Sequence, residues 1–201
     1  MIYGTHNSGT GGKLVWWLRP LAWIINPTSK CQDRNIVQQL EDGIKWFNIQ
    51  VALVGNKWRF THGLAIYQED VIETLALMKS YGTKENPIYF QLYLDKCFWV
   101  KNTHEQFLDL ISTIEKTLCD ETFYCQSLWN ERDNIRISSQ MTKPIKSATE
   151  HYWTMGWVKS TKPKNLLDRL PLPKYHAKKY NNKYKSECTK EYLMLDFYEV
   201  S

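Results

Sequence analysis

With 201 residues, the chain is long enough for one well-buried core and short for two. Hydrophobic residues make up 43% and charged residues 23%, a balance that excludes disorder over most of the length. The formal net charge of +5 is unevenly spread: from Lys159 to Lys190 come Lys162, Lys164, Arg169, Lys174, Lys178, Lys179, Lys183 and Lys185, opposed by only Asp168 and Glu187, a patch suited to an anionic partner.

The first predicted element is a short strand, Ile2 to Thr5, running into His6 and the glycine-rich turn Ser8-Gly9-Thr10-Gly11-Gly12. Ile36, Val37 and Leu40 recur at helical spacing within Arg34 to Asp42, and Gly43 offers a stop. A strand is predicted from Ile44 to Val54, a turn at Asn56-Lys57, and a second extended run from Trp58 to Thr61 that ends at His62-Gly63. Glu69 to Tyr81 predicts an amphipathic helix with Val71, Leu75 and Met78 inward. Pro87 introduces a strand, Ile88 to Leu94. His104 to Leu118 returns to helix, with Phe107, Leu108, Ile111, Ile114 and Leu118 as its buried stripe and a capping box from Thr103 and Gln106. Further strands are expected at Phe123 to Leu128, Ile135 to Ser138, Tyr152 to Val158 and Tyr192 to Tyr198. Residues 159–190 lack periodicity and read as a basic, irregular excursion from a single domain spanning 1–201. Alternating strands and helices define an α/β fold.

Cys31, Cys97, Cys119, Cys125 and Cys188 are scattered, odd in number and without a Cys-x-x-Cys pair, which points to reduced, mostly buried thiols and to no zinc site. The start, Met1 to His6, has neither a basic nor an apolar leader region, so no secretory signal is expected. Leu14 to Pro27 is broken by Arg19 and Pro20 and is too short to span a bilayer. The expected location is cytoplasmic, with peripheral contact to a membrane.

Two blocks carry a more specific message. Gly4-Thr5-His6-Asn7-Ser8-Gly9-Thr10 resembles the strand-end motif that bears the general base in the catalytic X region of phosphatidylinositol-specific phospholipase C. The second block runs through Cys31-Gln32, Ile36, Gln39-Leu40, Gly43-Ile44 and Phe47-Asn48-Ile49-Gln50-Val51, and closes at His62-Gly63, similar to the place of the family's general acid. Leu193 to Tyr198 resembles the closing barrel strand, which carries an aspartate in that family. The resemblance implies a TIM-type β/α barrel. Such barrels take about 250 residues, so a compact, distorted or incomplete version is expected. It also implies a phosphodiesterase with His6 as general base, His62 as general acid and Asp196 holding His6. Imidazole suits both proton transfers because its ordinary pKa lies near neutrality. His104, His151 and His176 lack this context and read as structural.

The chain departs from the family on the strand after the first helix. Asn48-Ile49-Gln50 stands where bacterial members carry Asp-x-Arg, and metal-dependent members place acidic calcium ligands there. Asn7 follows His6, as in the metal-dependent members. No metal is assigned, since amide oxygens alone would hold calcium weakly. Asn7, Asn48 and Gln50 are candidate substrate-binding residues, with Arg59 and Lys96 as substitutes for the missing arginine. Trp16, Trp17 and Trp23, within Leu14 to Ile25, form a candidate membrane rim. The implied partners are a phospholipid or other phosphodiester, an anionic membrane surface and a protein assembly partner. No nucleic acid is expected, because no recognition motif accompanies the basic stretch. The alternative reading is a degenerate barrel that binds a lipid headgroup or glycan, or serves as a structural module.

Overall fold

The computed structural model describes residues 2–131, 134–137, 154–155, 167, 170, 172–187 and 192–199. Its strands are β1 (Ile2–Thr5), β2 (Trp46–Val54), β3 (Lys57–His62), β4 (Ala65–Asp70), β5 (Ile88–Leu94), β6 (Phe123–Glu131), β7 (Asn134–Ile137), β8 (Thr154–Met155) and β9 (Tyr192–Leu195). Its helices are α1 (Ala22–Ser29), α2 (Ile36–Glu41), α3 (Val71–Lys79), α4 (His104–Thr117) and α5 (Pro173–Glu187), with 3-10 turns at Ser8–Gly11 and Trp16–Leu21.

The main path of the sheet is β7-β6-β5-β2-β1-β9-β8, parallel throughout except for β6 with β7. The last strand, β9, pairs with the first, which is how a β/α barrel closes. Among the described residues no pairing joins β7 to β8, so the curled sheet is a barrel open on that side. The outer half of β2 turns back through the β3–β4 hairpin, with Val54 opposite Lys57 and Val51 opposite Phe60.

Strand alternation divides the sheet into two faces. Phe47, Ile49 and Val51 of β2, with Ile88, Phe90 and Leu92 of β5, are fully buried and pack beneath Leu75 and Met78 of α3 and Phe107, Ile111 and Ile114 of α4. The other face carries Gly4, Trp46, Tyr89 and Tyr124 in one row, and Asn48 with Gln91 in the next. Gly4 leaves room for Trp46, since a Cβ there would lie 3.0 Å from the Trp46 carbonyl oxygen.

Several expectations require correction. The segment 159–190 is not irregular throughout, because Pro173–Glu187 is a helix. Its inward positions Pro173, Ala177 and Asn181 recur every fourth residue but are small or polar, so the apolar signal is missing although the period is present. Leu108 is 49% exposed and Leu110 takes its place in the buried stripe of α4, beside Phe107, Ile111 and Ile114. Leu118 lies past the helix end, half-buried against the core. Residues 69 and 70 belong to the overlooked strand β4. The Asp70 carboxylate accepts the Ile72 and Glu73 N–H groups and starts α3 only at Val71. The Thr103–Gln106 capping box is formed, and a second, Asn35 with Gln38, starts α2. Of the strands expected at 135–138 and 152–158, the described parts are 134–137 and 154–155, and Cys188 lies outside the described residues. No helix among the described residues is long and apolar enough to cross a membrane.

Candidate active site at the strand ends

His6 leaves the end of β1 beside the end of β9, and its N–H donates to the Leu195 carbonyl at 3.1 Å. Its Nδ1 donates to Asp196 Oδ1 at 2.8 Å. A carboxylate only accepts, so this contact places the proton on Nδ1 and leaves the Nε2 lone pair of neutral His6 free. The His6 side chain is 22% exposed while Asp196 is 1% exposed. The charge of Asp196 is therefore delivered through the imidazole.

Local backbone geometry supports this placement. Asn7 adopts a left-handed conformation, φ 46°, which turns the chain sharply after His6. Its N–H donates to Asn48 Oδ1 at 3.2 Å, and its carbonyl accepts from Thr10 Oγ1. Gln32 Nε2 donates to both the His6 and Leu195 carbonyls at 2.9 Å, fastening the ends of β1 and β9 together. Asn181 of α5 donates from Nδ2 to the carbonyls of Asp196 and Phe197, each at 3.0 Å. Phe197, also left-handed at φ 42°, donates its N–H to the Cys31 carbonyl at 2.7 Å.

His62 arrives from the opposite side, at the end of β3. Its Nδ1 donates to the Ser29 carbonyl at 2.8 Å, and its Nε2 accepts from Asn7 Nδ2 at 3.1 Å. Burial pushes His62 below the usual histidine range, the Ser29 carbonyl opposes that shift, and the neighbouring His6 adds to it. The two imidazoles stand 6.4 Å apart between centroids with their planes at 80°. Gly63, at φ 60°, makes the turn after His62, and its N–H donates to Asp95 Oδ2 at 3.2 Å. Burial raises the Asp95 carboxyl, while the Thr61 hydroxyl, His62 and the Gly63 N–H pull it back down.

Between the histidines the wall is lined by amides. Asn48 Nδ2 donates to Gln91 Oε1 at 3.4 Å, while Gln50 pairs in register with Tyr93. Burial pushes the Tyr93 hydroxyl far up, with Asn48 pulling the other way. These groups do not fit an oxygen cage for calcium: Asn48 Oδ1 is taken by the Asn7 N–H, and β2 supplies no carboxylate. Of the two substitute cations, Arg59 is engaged elsewhere. The Arg59 guanidinium donates to the Gln68 carbonyl on the hairpin, and Lys96 is exposed one residue beyond Asp95.

The fold thus brings His6, Asn7, Asn48, His62 and Asp196 together and keeps Arg59 apart. It also recruits groups that the sequence reading passed over: Cys31, Asp95, Gln91 and Tyr93. Gln91 and Tyr93 were signalled by the alternation Ile88-Tyr89-Phe90-Gln91-Leu92-Tyr93, in which polar residues fall on one face. Cys31 stood at the head of the second motif block without an assigned role, and Asp95 had no signal of either kind. Trp16 and Trp23 are 77% and 76% exposed, and Trp17 meets Trp99 edge to face at 5.7 Å. Phe98, 72% exposed, donates its N–H to the Gly63 carbonyl, so a second aromatic loop flanks the His62 side.

A β/α barrel of this kind has counterparts among solved structures. Phosphatidylinositol-specific phospholipase C from Listeria monocytogenes matches over 98% of this chain and 87% of its own, at 16% identity and a TM-score of 0.58. A double mutant of the Staphylococcus aureus enzyme of the same name matches over 98% and 84%, at 14% identity and a TM-score of 0.59. At these identities the likeness is one of fold. No family model and no curated protein matches the chain.

Proposed function

We propose that this barrel cleaves a phosphodiester whose alcohol carries a neighbouring hydroxyl, with phosphatidylinositol at a membrane surface as the first substrate to test. The observation that carries the reading is the Asp196–His6 contact, which holds Nδ1 and leaves Nε2 to accept, on a ring whose centroid lies 6.4 Å from that of a second imidazole. His6 Nε2 takes the proton of the neighbouring hydroxyl as its oxygen attacks phosphorus. The imidazolium form of His62 gives its Nε2 proton to the departing oxygen, releasing the lipid alcohol and a cyclic phosphodiester that water then opens. Asn7 has a part in this. Its Oδ1 has no hydrogen-bond partner among the described residues, and turning the amide over would bring that oxygen to Nε2 of protonated His62.

Among the described residues no Lys or Arg makes a hydrogen bond to this cluster, and a phosphate met only by its amides and one imidazolium would turn over slowly. The exposed tryptophans, joined by Phe98 and Trp99, fit an interfacial rim, with the lysines of α5 beside α1 to meet anionic lipid. Membrane binding is also the subject of one of the S. aureus structures. A second reading follows from the same amides: a barrel that binds a headgroup or glycan without turnover.

The test is release of water-soluble inositol phosphate from phosphatidylinositol vesicles, in chelator and in calcium, by the parent, His6→Ala and His62→Ala proteins. The parent should release product in chelator and each variant should lose at least about 10²-fold, the lower end of what a general acid or base contributes. Binding to the vesicles without release, unchanged in both variants, would replace the enzymatic reading with the second one.

A further inference from the structure

Three donor atoms from distant parts of the sequence meet on the wall of this site. The ligating atoms of His6, Cys31 and Asp196 all lie within 4.8 Å of one another. Cys31 and Asp196 are each 1% exposed, and the partly open His6 side chain leaves one side of the trio accessible. Zinc sits about 2.3 Å from sulfur and about 2.0–2.2 Å from nitrogen or oxygen, so small side-chain rotations would close the three donors around one ion.

A second observation points to a ligand independently. Asp196 Oδ2 is buried and has no hydrogen-bond partner among the described residues. An ionised oxygen so placed calls for a donor or a cation. His62 is outside the set, for although its Nδ1 lies 3.7 Å from Cys31 Sγ, its proton is committed to the Ser29 carbonyl.

We propose that His6, Cys31 and Asp196 form a binding site for one thiophilic divalent ion of the zinc class, with a fourth position open toward the cleft. One thiolate, one imidazole and one carboxylate select zinc or cobalt over calcium and magnesium, whose preferred shells are all oxygen. Binding exchanges one dication for one proton, that of the Cys31 thiol, while the His6 ring keeps its single proton on whichever nitrogen does not ligate. Without the ion, burial and the Asp196 charge keep the thiol protonated; a dication in the same place reverses that local field. Occupancy also takes the His6 ring out of proton transfer, so zinc inhibits cleavage. That consequence rests on the acid–base reading above, whereas the binding itself does not.

The experiment is a cobalt(II) titration of the full chain, reduced and freed of metal, followed by absorbance. One equivalent should bind and give a thiolate-to-cobalt charge-transfer band in the near ultraviolet, with zinc displacing it. Cys31→Ser should abolish the band and weaken binding at least tenfold; Asp196→Asn should weaken binding while keeping the band. A Cys119→Ser, Cys125→Ser protein should behave as the parent. No band in the parent, with circular dichroism showing it folded, overturns the site, as does a band that survives Cys31→Ser or vanishes in the Cys119, Cys125 variant. If Cys31→Ser does not fold, weakened binding in Asp196→Asn together with an unchanged band in the Cys119, Cys125 variant supports the site. Unweakened binding in Asp196→Asn overturns it. The readout is metal binding alone, so its outcome stands apart from whether the protein cleaves any lipid.

Discussion

His6 and His62 stand 6.4 Å apart, yet the two sides of the cleft are built differently. The His6 side joins the first and last strands, and its contacts are polar and buried: Asp196 behind the ring, Gln32 across the strand ends, Asn181 beneath the Asp196 backbone. The His62 side comes from a hairpin of neighbouring residues. Its imidazole is held by a backbone carbonyl and an amide, and its flank is the exposed aromatic pair Phe98 and Trp99. A ring backed by a carboxylate is suited to take a proton. One that is buried and paired with neutral groups gives up a proton readily once it is charged. The contrast teaches that the asymmetry needed for acid–base work lies in what stands behind each ring.

The comparison can be broken most sharply at Asp196. Asp196→Asn presents an amide N–H to His6 Nδ1, moves the ring proton to Nε2 and occupies the nitrogen that must accept. Vesicle cleavage should fall by about a hundredfold or more, while circular dichroism stays unchanged. A loss under twofold would mean that the carboxylate does not set the His6 tautomer.

Asn181 probes how the His6 side is supported. Asn181→Leu leaves the carbonyls of Asp196 and Phe197 without their buried donor, at a cost of about 1–3 kcal/mol for such a group. The denaturant midpoint should drop accordingly, with cleavage falling alongside. An unchanged midpoint would show that α5 is dispensable to the strand end.

The tryptophan rim should respond the least. Trp16→Ala combined with Trp23→Ala removes two side chains that are 77% and 76% exposed. Stability should hold and sedimentation with anionic vesicles should weaken several-fold, in line with the interfacial preference of tryptophan. A protein that sediments as before would place the contact surface elsewhere.

Much of the architecture was legible in the sequence because local physics wrote it there. Pro87 introduced the strand Ile88 to Leu94 with the bounds it has, and the Thr103–Gln106 pair marked the start of α4. The motif blocks placed His6 and His62 just after strands; His6 does follow β1, while His62 is the last residue of β3. Helix α5 was not legible, since its inward face of Pro173, Ala177 and Asn181 presents no apolar stripe; its burial depends on a strand end that only the fold brings near.

What the sequence determined by itself, then, was the alternation of strands and helices, the glycine turns that end them and the residue types available for proton transfer. The tertiary structure alone decided which of those residues share a site. Asp196 reaches His6 across 190 positions because β9 closes against β1, and Cys31 joins them because its carbonyl receives the Phe197 N–H beyond that closure. Arg59 was excluded from the cluster by the hairpin that delivers His62, where its guanidinium meets the Gln68 carbonyl. Such contacts arise from strand order and register, which are properties of the whole sheet and leave no mark at a spacing that a local pattern can reveal.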